Sequence, residues 1–339
     1  MRVDPSVLET VEASSEGRHL TRSQCIRLLS FDEGSPEADL VRDTADVMSR
    51  RLSGNSCSIG VQIGVITGPC IADCGFCGFA CSTTDADDYI MPSRVLREYL
   101  EHVTEHGDVE SVSLMTIHNF DFDDLMGAVD TAVETVPRDV TVCVNTGDLT
   151  ATELRELRNA GVRRAYHAVR VGEGDDTRLS PMDRFGTIRL MRDAGIDPVS
   201  CVEPIGPEHT AEDIVDRFMQ AREAGCSRCS ASRRLDVPGT RMHGMGEISE
   251  SRLAQIKSVL FLSTGGDGFY GGYYGGLGMD FAEYAGSPKD TADYSERHNG
   301  NTVEAVRRRL LSEGYEWIRT GNGGRIRLDA GHLDRTRSR

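Results

Sequence analysis

The sequence of 339 residues predicts an α/β protein: a (β/α) barrel of six to eight strands, with an N-terminal helical extension and a C-terminal glycine-rich cap. Three observations carry that expectation. Short apolar runs alternate with amphipathic stretches from Cys57 to Leu235, and strands and helices that alternate at this length imply parallel strands with right-handed crossovers. Most junctions stop a helix at Gly or start one at Ser, Asp or Thr. A cysteine-dense loop follows the first predicted strand directly, and barrels of this type place their chemistry at the C-terminal ends of strands.

Residues 1–56 are polar with helical periodicity, through Ile26, Leu28 and Leu29 and then Leu40, Val41, Ala45, Val47 and Met48, and read as a helical extension. The barrel core is expected over 57–262. Its strands are predicted at 61–67, 109–115, 140–144, 164–168, 198–202 and 229–235, and its helices at 93–104, 123–136, 150–160, 182–194 and 210–224. Three of these helices run into Gly161, Gly195 and Gly225. Residues 263–328 read as a segment that completes and caps the barrel. Within it, Gly265 to Gly278 interleaves glycine with Phe269, Tyr270, Tyr273 and Tyr274, but lacks the Lys-Ser/Thr of a phosphate-binding loop. It is either a flexible wall over the barrel mouth or an irregular loop. A helix is expected over 302–313 and a mobile tail over 329–339.

Gly68-Pro69-Cys70-Ile71-Ala72-Asp73-Cys74-Gly75-Phe76-Cys77 sets three cysteines four and three residues apart. Thiolates at that spacing can converge on three corners of an iron–sulfur cube, and the missing fourth ligand leaves one iron open to a small molecule. A structural zinc site is the other reading of these residues, with Cys81 as the fourth ligand. The run CIADCGFC resembles the CxxxCxΦC hallmark of the radical S-adenosylmethionine (radical SAM) superfamily, with Phe76 as the aromatic Φ. The resemblance implies that Cys70, Cys74 and Cys77 hold a [4Fe-4S] cluster, that SAM chelates the fourth iron, and that Phe76 packs near the adenine. The catalytic initiator would be a 5'-deoxyadenosyl radical.

Further segments resemble the biotin-synthase-like group: Thr141-Val142-Cys143-Val144-Asn145, Val199-Ser200-Cys201-Val202-Glu203-Pro204-Ile205-Gly206, and Val237-Pro238-Gly239-Thr240-Arg241. In position, Cys143 and Cys201 match cysteines of an auxiliary, sulfur-donating cluster, while Val112 to Thr116 contains no counterpart of that group's second-strand cysteine. Cys226 and Cys229 could supply replacement ligands; alternatively all four are small buried hydrophobes. His167, Arg170, Glu203 and Gly206, at predicted strand ends, are expected to contact the cofactor, with Arg170 pairing a carboxylate bidentately.

Composition narrows the partners. The net charge of −16 argues against nucleic acid, which is bound through an excess of Lys and Arg. Lys257 and Lys289 are the only lysines among 38 basic residues, a bias pointing to a GC-rich genome, a salt-loving cytoplasm, or both. No apolar run approaches a membrane span, and Met1 to Arg22 carries no apolar signal segment, so a cytoplasmic protein is expected, its ten cysteines suited to metal rather than disulfides. The preferred reading is hydrogen abstraction from an unactivated carbon followed by sulfur insertion, as in biotin and archaeal lipoyl synthases. The substrate would be a small or carrier-bound cofactor precursor, and a reductase or ferredoxin would donate electrons. The alternatives are a radical rearrangement or methylation of the hydrogenase-maturase kind, including the iron-guanylylpyridinol enzymes, and a non-catalytic iron–sulfur or zinc scaffold.

Overall fold

The computed structural model describes residues 3–267, 279–284 and 302–337. Three helices come first: α1 (Pro5–Ser15), α2 (Arg22–Leu29) and α3 (Pro36–Ser53). Each begins on a side chain that satisfies first-turn amides: Asp4 for α1, the Thr21/Gln24 capping box for α2, and Ser35 for α3. Gly54 ends α3 at φ 61°, a left-handed turn that costs glycine least.

Strand β1 (Ser56–Thr67) opens the sheet, and a two-residue strand β2 (Tyr89–Ile90) pairs antiparallel with its end. Parallel strands then follow in chain order: β3 (Val109–Thr116), β4 (Thr141–Asn145), β5 (Arg164–Tyr166), β6 (Asp197–Ile205) and β7 (Arg228–Arg233). The crossovers are α4 (Ser93–Thr104), α5 (Phe122–Thr135), α6 (Ala151–Ala160), α7 (Pro181–Asp193) and α8 (Ala211–Ala224), with α9 (Glu250–Ser263) after β7. On the other edge of β1 run β8 (Met279–Tyr284) and β9 (Trp317–Arg319), both parallel to it, with β10 (Arg325–Arg327) antiparallel to β9. Among the described residues no pairing joins β7 to β8, so the sheet curls into a partial (β/α) barrel. Helix α3 packs against both α9 and β1, across that seam.

The barrel wall follows from the two-residue period of its strands. On β1, Ile59, Val61, Ile63 and Val65 are buried in the apolar layer beneath the helices, whereas Gln62 and Gly64 line the interior. A second apolar layer joins Leu28, Leu29 and Val41 of the N-terminal helices to Phe218 of α8 and Ile256 of α9. The extension is thus fastened to the barrel by a shared core.

The alternating elements expected from the sequence are present; β2, β8, β9 and β10 were not expected, and three further segments differ. Strand β1 starts at Ser56, because Ser56, Cys57, Ser58 and Gly60 are buried without looking apolar. Helix α9 has no polar face to reveal it: ten of its residues are buried. The segment expected as a tail contains a helix, Ala330–Arg337, that the sequence reading did not place. Its His332 Nε2 sits 2.9 Å from Asp108 Oδ2, a buried carboxylate also gripped by Arg307. The glycine-rich run over 268–278 lies outside the described residues.

Candidate active site

The cysteine loop occupies the end of β1 and folds back on itself. Cys70 N–H donates to the Phe79 carbonyl at 2.7 Å, Cys81 N–H to the Cys70 carbonyl at 3.1 Å, and Cys77 N–H to the Cys74 carbonyl at 3.0 Å. Asp73 turns the chain in the left-handed region, at φ 48°, and is fully buried. Its carboxylate accepts from Ser82 N–H at 2.9 Å and pairs with Arg178 and Arg241, each at 2.8 Å. The hydrogen bonds from Ser82, with the two guanidiniums behind them, hold its carboxyl down at about 2.

Cys70, Cys74 and Cys77 all line one cavity of about 300 Å³, with Phe76, Phe79 and His118. Two backbone amides point at the sulfurs: His118 N–H to Cys70 Sγ at 3.3 Å and Phe79 N–H to Cys77 Sγ at 3.4 Å. Burial pushes the Cys74 thiol up to about 12, partly countered by Arg170, and raises Cys77 as well. Left alone, such thiols keep their protons. A cationic iron centre would draw the protons off, and the amides aimed at sulfur favour the resulting thiolates. The three-thiol pocket therefore fits a [4Fe-4S] cluster. A single zinc ion fits poorly: among the described residues no three Cys, His, Asp or Glu side chains are close enough to hold one ion. The Cys81 thiol, moreover, is turned toward Asp73, with Sγ 3.6 Å from Oδ1.

Arg170, just beyond β5, sits with its guanidinium carbon 5.8 Å from the Phe76 ring centroid and lines the same cavity. Its Nε has no hydrogen-bond partner, and its nearest carboxylate contact is Glu173, at 3.9 Å. Glu173 itself is spent on the loop, accepting from Thr177 Oγ1 at 2.6 Å and Arg170 N–H at 3.0 Å. Donors on Arg170 are therefore available to an anionic group beside the cluster site.

The remaining expected residues are distributed less simply. Glu203 lines a second, deeper cavity of about 420 Å³ and not the cysteine cavity. His167 lines neither cavity: it is fully buried, its Nε2 is 3.0 Å from Asp148 Oδ1, and burial lowers its pKa to about 3, so it is neutral. Gly206 also lies off both linings. It gives room to the Glu208–Arg234 pair, since a Cβ there would lie 2.4 Å from Glu208 Oε2. Of the four auxiliary cysteines, Cys143 and Cys201 line the inner cavity, whereas Cys226 and Cys229 belong to the apolar layer against α8 and α9. Strand polarity explains the split: Ser230 faces the cavity and its neighbour Cys229 faces the helices. Sequence reasoning missed Gln62, Met115 and Asn145, which line both cavities. Met115 and Asn145 stand at or next to strand ends, which was the available signal, while Gln62 is a polar residue in the middle of the apolar strand β1.

Comparison with known proteins agrees with this geometry. The radical SAM superfamily profile matches residues 65–239, slightly more than half of the chain. Biotin synthase of Persephonella marina is 25% identical over 259 residues, covering 73% of this chain and 75% of that protein. Biotin synthase of Desulforudis audaxviator is 27% identical over 228 residues, covering 62% and 69%. The crystal structure of methylornithine synthase (PylB) superimposes with a TM-score of 0.75 at 16% identity, covering 90% of this chain and 96% of that one. HydG, a maturase of the [FeFe]-hydrogenase, does so at 0.73 and 14% identity, covering 93% and 76%. These two structures speak to the fold alone. By the cysteine cavity at the end of β1 and the match over the barrel, the chain belongs to the radical SAM superfamily and resembles its biotin-synthase-like group.

Proposed function

We propose that the chain cleaves SAM reductively and abstracts hydrogen from an unactivated carbon of a small cofactor precursor held deeper in the barrel. One observation carries this reading: the three-cysteine cavity with Phe76 shares Gln62, Met115, Asn145 and Arg170 with a second, inner cavity. When bound there, a [4Fe-4S] cluster supplies the electron that cleaves the sulfonium and frees a 5'-deoxyadenosyl radical. Cys70, Cys74 and Cys77 would hold that cluster. Phe76 would pack on the adenine, and Arg170 would fix the methionyl carboxylate. The barrel wall then keeps water from the radical and directs it inward.

Of the two continuations, a radical rearrangement or methylation in cofactor assembly is better supported than the sulfur insertion favoured by the sequence. Sulfur insertion needs a donor cluster, and among the described residues the inner chamber offers Cys143 and Cys201 alone as thiols, with Ser111 and Ser113 on the β3 wall. The presence of those two thiols in one chamber is the observation that keeps sulfur insertion as the second reading.

Anaerobic reconstitution with SAM and dithionite tests the proposal. 5'-Deoxyadenosine should form, and the Cys74→Ala variant should not produce it. Wild-type protein that forms none would leave the non-catalytic scaffold as the surviving reading. Iron analysis then separates the continuations: about four irons per chain favour rearrangement or methylation, and about eight favour sulfur insertion.

A further inference from the structure

The charged side chains that line the inner cavity are each answered already by an opposite charge or a hydrogen bond. Arg164 donates to both oxygens of Glu110, at 3.2 and 3.3 Å. Asp280 accepts from Arg309 Nε at 2.8 Å. Glu203 accepts from the Tyr166 hydroxyl at 2.5 Å and attracts Arg170, the residue assigned above to the SAM carboxylate. Burial lowers the pKa of Lys257, on α9, while Asp280 and Glu250 attract its charge. A charged ligand would have to compete with these partners, and a charge taken out of water without a partner of its own is costly.

The neutral polar side chains are in the opposite condition. Gln62, Ser113, Asn145, Ser230 and Ser232 line the cavity, and among the described residues none of them makes a side-chain hydrogen bond. Gln62 and Ser113 stand opposite each other on β1 and β3, while Ser230 and Ser232 share one face of β7, at the far end of the strand order. Unspent groups therefore reach the cavity from two sides. Each of these amides and hydroxyls both donates and accepts. An aliphatic ligand would leave them buried and unpaired, whereas ligand hydroxyls, which also donate and accept, satisfy them. Met115, Met279 and Phe281 add apolar surface for the C–H faces of such a ligand. We propose that the inner cavity binds a small uncharged polyol, a monosaccharide or cyclitol, through Gln62, Ser113, Asn145, Ser230 and Ser232. This rests on the radical SAM reading above and gives it a substrate class. Gln62 and Asn145 also line the cysteine cavity, so they hold the polyol next to the radical source.

The test is calorimetric titration of the cluster-reconstituted protein, with SAM present, against glucose, galactose, mannose, ribose, xylose and myo-inositol. For each polyol that binds, analogues with one hydroxyl replaced by a carboxylate, an amine or hydrogen are titrated as well. At least one polyol should bind, and its charged analogues should bind at least about tenfold more weakly. Ser113→Ala and Ser230→Ala, each with native circular dichroism, should weaken that polyol by about threefold or more. The comparison on the unaltered protein carries the test even where a variant fails to fold. The proposal is overturned if none of the six polyols binds, if a charged analogue binds equally well, or if both folded variants keep wild-type affinity. Absence of 5'-deoxyadenosine would remove the radical reading while leaving this binding pattern legible, so the two fail separately.

Discussion

Arg241 Nη1 lies 2.8 Å from Asp73 Oδ2, so a residue from the loop after β7 grips a buried carboxylate between the first two cysteines of the cluster loop. The same guanidinium donates to the Asp73 carbonyl at 2.8 Å and the Asp176 carbonyl at 3.1 Å. Gly75 and Met242 extend the seam: Gly75 N–H donates to the Asp176 carbonyl and Met242 N–H to the Gly75 carbonyl, both at 2.8 Å. Three segments distant in sequence therefore fix the cysteine loop before any cluster is present.

Arg241→Ala should loosen that loop while sparing the barrel. Iron retained after reconstitution and desalting should fall by about half or more, and amide exchange at Gly75 and Ser82 should rise. A variant with wild-type iron retention and unchanged exchange would show that Asp73 and Arg178 suffice.

Arg170→Lys keeps the positive charge but loses the planar fork over Phe76. SAM should bind at least about tenfold more weakly, equivalent to about 1.4 kcal/mol, while the electron paramagnetic resonance signal of the reduced cluster without SAM stays as in wild type. Equal SAM affinity in the two proteins would place the carboxylate elsewhere.

Cys226→Ala and Cys229→Ala should each cost about 1 kcal/mol of stability, because both thiols fill an apolar layer, and should leave iron content untouched. Cys143→Ser and Cys201→Ser supply the contrast. A loss of about four irons in either of these would restore the sulfur-donor reading.

Asp108→Asn should be the costly change at the N-terminal end of β3. Arg307, 4% exposed, donates to Asp108 through Nε at 2.5 Å and Nη2 at 2.8 Å, so it would keep a buried charge without its counterion. Urea unfolding should report a loss of about 3–5 kcal/mol.

The same carboxylate sets an acid limit. Burial alone would raise the Asp108 pKa, but the hydrogen bonds from His332 and Arg307 outweigh it and hold the group at about 2, below its ordinary 3.8. Because the folded value is depressed, its contribution to stability is complete above pH 3.8 and drains away as the pH falls toward 2. Circular dichroism melts across that window should show a steeper acid loss in wild type than in Asp108→Asn.

Much of this was legible in the sequence for a local reason. Cys70, Cys74 and Cys77 lie within eight residues, and a loop that short brings them to one cavity whatever surrounds it. The alternation of strands and helices was legible because each element announces its own period and its own caps, as Thr150/Glu153 and Thr210/Asp213 do for α6 and α8. Where residues from different strands must meet, family resemblance paired Cys143 with Cys201, but the sequence did not say which face each side chain takes. Cys201 and Cys229 look alike as sequence, yet one faces the chamber and the other the helices, because a one-residue difference in register reverses the face. Lys257 gave no sign of facing a cavity, since α9 is buried round most of its circumference and its polar residues do not gather on one face. The sequence by itself determined how the chemistry starts, through contiguous residues. Only the tertiary structure decided what shares the chamber with it, because Glu203, Lys257 and Cys143 are joined there by the curl of the sheet and by nothing nearer along the chain.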